Sequence, residues 1–201
     1  MKQGSVFERV LLLAAGLLAA YQVVKGVDGL TTLPMISYSV AFGVLLVAGL
    51  LLIILGFEVL DSSLVVIVST VIPLSLSLGL VWMYLATWHI PYLIFVSVGF
   101  LAIVVTCLRK PERLATFTLA AVHGVAGLMI FILPVVLSVN GQARPGLALV
   151  GVGGALIGVG GLLLSFLKAG KPILSREIIL KVLPGLLLLM TAAFVAGFAL
   201  A

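Results

Sequence analysis

From Ser62 to Leu108 the chain runs for 47 residues without a formally charged side chain. A helix needs roughly 20 apolar residues to cross a hydrocarbon core ~30 Å thick. The run is too long for one crossing and right for two. The other acidic and basic residues leave further uncharged stretches at Val10–Val24, Gly29–Phe57, Leu114–Ala143, Pro145–Leu167 and Val182–Ala201. Each supplies one crossing, which makes seven. The expected fold is an all-α integral membrane protein, a bundle of seven transmembrane helices joined by mostly short loops. It forms a single transmembrane domain over residues 1–201, with spans near 6–26, 31–57, 62–86, 90–108, 115–138, 145–167 and 176–200.

Composition closes off the alternatives. Hydrophobic residues make up 64% of the chain and charged residues 8%. A soluble domain carries about a quarter charged residues, so a water-facing surface cannot be built from this chain. Disorder needs low hydrophobicity and high charge, the opposite balance.

The long run divides at Ala86-Thr87-Trp88-His89-Ile90-Pro91. Pro91 suits the first turn of a new helix, where its missing N–H costs nothing. Trp82, Tyr84, Trp88 and Tyr92 gather around the break, and Trp and Tyr favour headgroup depth. The first span has two readings. Met1-Lys2 ahead of Leu11-Leu12-Leu13 resembles a secretory leader. Ala19-Ala20-Tyr21-Gln22 is a poor cleavage site, which favours a retained helix.

Seven crossings sort the basic residues onto two sides. Lys2, Arg9, Arg109, Lys110, Arg113, Lys168, Lys171, Arg176 and Lys181 fall on one side, and only Lys25 and Arg144 on the other. Nine against two places the N-terminus in the cytoplasm and the C-terminus outside, in the cytoplasmic or an equivalent inner membrane. This placement, in short gaps between apolar runs, also explains the +5 net charge without a nucleic-acid partner. Glu58 and Asp61 form an acidic cytoplasmic loop. Asp61-Ser62-Ser63 has the form of a helix cap, and pairing with Arg109 or Lys110 is the alternative.

Spans two to seven read as three hairpins of like orientation. The stretches Gly43–Gly79, Gly99–Met129 and Gly154–Met190 are comparable, so a repeat here would be parallel and not the inverted kind that houses many transport sites.

In lipid, helices associate through close contact of small residues. Gly151, Gly154, Gly158 and Gly161 share one face of span six, with Gly153 and Gly160 beside it. Gly124 and Gly127 do the same in span five. Internal packing or self-association would use such faces. Pro73 interrupts span three and is expected to kink it. Ser69 and Thr70 lie one turn back, where they are expected to satisfy the freed carbonyls. With Ser75 and Ser77 they make this the most polar intramembrane segment, a candidate ligand or gating element.

His123 sits roughly 12 Å into span five at 1.5 Å per residue. It shares a face with Gly124 and Gly127, so it is expected to point into the bundle. An intramembrane ionisable group is a candidate functional residue, and hydrogen bonding to a neighbouring helix is the structural alternative. His89 lies at a different depth, which argues against a haem held by both. One cysteine, Cys107, excludes an intrachain disulfide. No phosphate loop, dinucleotide fingerprint or His-Glu-x-x-His pair occurs. No catalytic residue, metal or other cofactor is expected.

Two functional readings follow. The first is a non-catalytic structural or accessory subunit of a larger membrane complex, whose partners are lipids and other subunits or its own copies. The second is a small transporter or channel for a neutral or lipophilic substrate, lined by the Pro73 segment near His123, with Asn140, Gln142 and Arg144 at its external mouth.

Overall fold

The computed structural model of the chain describes residues 5–27, 29–109, 112–168 and 173–201. Lys2, Lys110 and Lys171, which enter the charge bias, lie outside the described residues, as do the side chains of Arg113 and Lys168. Among the described residues the chain forms seven helices long and apolar enough to cross a membrane. They are α1 (Val6–Lys25), α2 (Thr32–Leu55), α3 (Ser63–Tyr84), α4 (His89–Arg109), α5 (Glu112–Val139), α6 (Ala148–Lys168) and α7 (Arg176–Leu200). Short 3-10 turns at Phe57–Asp61, Ala86–Trp88 and Pro145–Leu147 precede α3, α4 and α6.

The helix ends follow local chemistry. At α1, Ser5 Oγ accepts from the Glu8 N–H while the Ser5 N–H donates to Glu8 Oε2 at 2.7 Å, a reciprocal capping box. Ser175 caps α7 by accepting from the Ile178 N–H. α2 stops at Leu55, short of the expected Phe57, because Gly56 turns to φ 76° and the chain tightens into the 3-10 turn. At α3 the expected Asp61-Ser62-Ser63 cap is absent, since the Ser62 side chain makes no capping bond. The Asp61 carboxylate instead reaches Arg176 at the start of α7, at 3.1 Å. Of the expected partners, Arg109 ends α4, and Lys110 lies outside the described residues.

Six helices close a ring in the order α1, α2, α3, α5, α6, α7, with α7 returning to α1. α4 lies outside the ring against α3 and α5. Large rings meet where α2 faces α7. Phe42 stands edge-on to Phe194 and Phe198 with centroids 6.4 and 6.2 Å apart, and Tyr38 tilts onto Phe198 at 4.6 Å. Ile72, Leu76 and Leu80 of α3, Ile130 of α5 and Met190 of α7 complete this core. A second cluster joins Ile67 and Leu74 of α3, Ile103 of α4, and Val122 and Ala126 of α5.

Glycines set the closest approaches. A Cβ on Gly151 would lie 2.6 Å from Val135 Cγ2 and 2.8 Å from Phe131 O. One on Gly154 would lie 2.8 Å from the Ile130 carbonyl carbon. α6 thus meets α5 backbone to backbone at the turn where Pro134 leaves Ile130 O without its usual donor. On the opposite flank Gly153 receives the Phe194 ring and Gly197 receives Val150, which locks α6 to α7. A Cβ on Gly158 or Gly161 would meet nothing within 4 Å, and the same holds for Gly124 and Gly127. The face expected to pack along its whole length is therefore divided. α6 approaches α5 closely at Gly151 and Gly154, whereas Gly158 is half-buried and Gly161 exposed, each with open space where a side chain would stand.

Candidate functional site

The residues singled out in α3 are arranged by one rule of helix geometry. A serine or threonine hydroxyl in a helix reaches the carbonyl three or four residues back. Ser69 Oγ and Thr70 Oγ1 accordingly both donate to Val66 O, at 3.0 and 2.8 Å. The carbonyl that Pro73 strips of its partner is that of Ser69, which neither hydroxyl reaches. The expectation that Ser69 and Thr70 would satisfy it is corrected by this geometry. Ser77 Oγ donates to Pro73 O at 2.7 Å and to Leu74 O at 3.1 Å. Thr70 and Ser77 are fully buried, and Ser69 and Ser75 half-buried. α3 stays helical through Pro73. Its hydroxyl hydrogens are largely committed to its own backbone.

His123 follows the same local pattern. Its Nδ1 lies 3.1 Å from Leu119 O, one turn back on α5. A carbonyl only accepts, so Nδ1 is the donor in this contact. His123 and Gly127 are half-buried and Gly124 is exposed, so the three are not equally inward. α5 meets α3 through the neighbouring Val122 and Ala126, which belong to the second apolar cluster. At the end of α5, where an external mouth was expected, Arg144 Nη1 donates to Ala201 O at 3.2 Å. This bond ties the α5–α6 connection to the end of α7.

A further constellation lies at the α3–α4 connection, where the sequence predicts an interface turn. His89 and Tyr92 occupy one side of the first turn of α4, three residues apart. The His89 ring stacks on Trp82 of α3, with centroids 4.2 Å apart and planes at 9°. Tyr92 is 5% exposed, whereas Trp88, in the turn just before His89, is 57% exposed. Among the described residues, His89 Nε2 and Tyr92 Oη are the buried side-chain polar atoms without a hydrogen-bond partner. Tyr92 Oη approaches Ser77 without reaching hydrogen-bonding geometry. The signal available in the sequence was the spacing of Trp82, His89 and Tyr92, which puts all three on the α3–α4 seam once those helices form a hairpin.

Among the described residues no group of three or more His, Cys, Asp or Glu side chains converges. Cys107 is half-buried near the end of α4. No family model, curated protein or solved structure matches this chain.

Proposed function

We propose that this chain is a multi-pass membrane protein that acts without catalysis, as a structural or accessory subunit packed against other membrane proteins. The observation that carries the reading is where large side chains stand. The meeting of α2 and α7 is filled by Tyr38, Phe42, Phe194 and Phe198. Outside the ring, α4 presents Ile90, Ile94, Val98, Leu101, Val105 and Leu108 as one exposed row. Their spacing of three and four residues is that of a helix–helix seam. Lipid would also cover such a row, but α4 is already held to the ring along its other side and leaves this length clear for a partner helix.

This geometry favours a subunit over a conduit. A solute passing near Pro73 would need hydroxyls free to replace its water, and Ser69, Thr70 and Ser77 donate to their own helix. The charge bias supports a cytoplasmic N-terminus and an external C-terminus.

The test is purification of the full chain from its native membrane in mild detergent, followed by native mass spectrometry. A stoichiometric partner is expected, lost when Val98 and Leu101 are both replaced by Gln. A lone, monodisperse chain would overturn the reading.

A further inference from the structure

Among the described residues, Arg9 is the single charged side chain on the wall of a groove of about 270 Å3 between the first turns of α1 and the last turns of α2. Val6, Val10, Leu13 and Ile53 form the rest of the wall. Enclosed sites for small molecules run to about 300–1,000 Å3. This groove is smaller and open along one side, so it suits a length of flexible chain lying in it better than a compact compound.

Among the described residues, no carboxylate compensates the charge at its end. The adjacent carboxylate, Glu8, is turned back onto the Ser5 N–H by the capping box. Asp61, beyond the end of α2, is engaged by Arg176. Glu58 is exposed in the turn after α2 and is not part of the groove wall. No described residue pairs with the Arg9 guanidinium, and the side chain is exposed. An apolar trough that ends in one free guanidinium complements an amphiphile with an apolar tail and an anionic head. The guanidinium fork matches a phosphate in shape as well as charge. Arg9 also stands at the end of an apolar helix, the depth at which headgroups sit.

We propose that this groove binds an anionic glycerophospholipid, with one acyl chain along Val6, Val10, Leu13 and Ile53 and the phosphate on Arg9. An anionic headgroup is preferred over a choline headgroup because the choline would bring a second cation beside Arg9. The inference rests on the membrane-spanning reading and is independent of the partner reading.

The full chain, purified in mild detergent with equimolar phosphatidylglycerol and phosphatidylcholine, is examined by native mass spectrometry. Retention of phosphatidylglycerol over phosphatidylcholine is expected. Arg9→Gln should cut that retention roughly tenfold, the ratio equal to ~1.4 kcal/mol for one charge-assisted contact. Val10→Trp, at an exposed position, fills the groove and should remove the adduct while Arg9 remains. Arg109→Gln, at an exposed helix end on the same side, should leave it unchanged. Equal retention by the Arg9 variant, an equal loss in the Arg109 variant, or no headgroup preference would each overturn the proposal. So would a lipid-free dimer that Val10→Trp dissociates, since the groove would then be a seam between copies. Alkaline washing of the membranes separates the two levels of the argument. Release of the chain sinks the membrane-spanning reading, whereas a retained chain with unchanged lipid binding in the Arg9 variant sinks only the lipid site.

Discussion

Tyr38 of α2 lies with its ring directly on Gly79 of α3, so close that a Cβ on Gly79 would stand 2.8 Å from Tyr38 Cζ. The hydroxyl donates to Met83 Sδ at 3.4 Å, one turn further along α3. The ring is held between that glycine and Phe198, and Tyr38 is 3% exposed. Gly79→Ala should therefore destabilise the bundle by ~1–3 kcal/mol, the usual cost of overpacking a filled core. Tyr38→Phe keeps the ring and gives up a weak bond to sulfur, so its cost should stay below ~1 kcal/mol. Thermal unfolding in detergent checks both. Equal losses in the two variants would mean that the hydroxyl, not the ring contact, holds α2 to α3.

The glycines of α6 give a sharper contrast. Gly154→Val would drive a side chain into the backbone of α5 at Ile130, whereas Gly158→Val enters open space. The first is expected to cost at least ~1–3 kcal/mol, and the second to stay within ~0.5 kcal/mol. Unfolding midpoints of the two variants side by side decide it. A large loss at Gly158 would show that α5 and α6 stay together further along their length than they do here.

That contrast also marks how far the sequence could be read. Charge-free runs disclosed seven helices because a bilayer-length apolar segment has few other uses. The spacing of Gly151, Gly154, Gly158 and Gly161 disclosed one face. Spacing carries no information about how close a neighbour comes at each turn of that face, and that closeness separates Gly154 from Gly158. The hydroxyls of α3 were visible as polar residues near Pro73. Their targets follow from reach, which is three or four residues backward, so Val66 O was derivable and Ser69 O was not a possible target. The stack of His89 on Trp82 depends on the register of the α3–α4 hairpin, which is set by the turn at Leu85–Trp88 and not by any periodic pattern.

Tyr92 should respond in an unusual direction. Its hydroxyl is buried without a partner, and an unsatisfied buried polar group costs ~1–3 kcal/mol. Tyr92→Phe removes that group and preserves the ring contact with Phe95. The variant is expected to match or exceed the parent in unfolding temperature. A clear loss of stability would show that the hydroxyl has a partner in the membrane, with Ser77 the nearest candidate.

His123 bonds within its own helix, to Leu119 O, and so does not hold α5 to another element. His123→Ala should leave the assembly intact and cost no more than ~1 kcal/mol, the worth of one local hydrogen bond. Size-exclusion profiles and unfolding midpoints test this. If the variant bundle dissociates, His123 is a packing residue and its candidacy for a ligand contact ends.

The Asp61–Arg176 pair should matter little for stability and much for topology. Its side chains are 60% and 54% exposed, and exposed pairs contribute ~0–1 kcal/mol, fading further as salt screens them. Asp61→Asn should therefore shift unfolding only slightly, and less still at high salt. Yet the contact requires the turn after α2 and the start of α7 to share a side, while Arg144 at the α5–α6 connection takes the other. In a Cys107→Ser background, Asp61→Cys and Arg176→Cys should react with a membrane-impermeant thiol reagent only from the cytoplasmic face, and Arg144→Cys only from outside. Labelling of 61 and 176 from opposite faces would break the seven-crossing count. Labelling of both from outside would keep the count and reverse the orientation, leaving nine cations on the wrong side of the membrane.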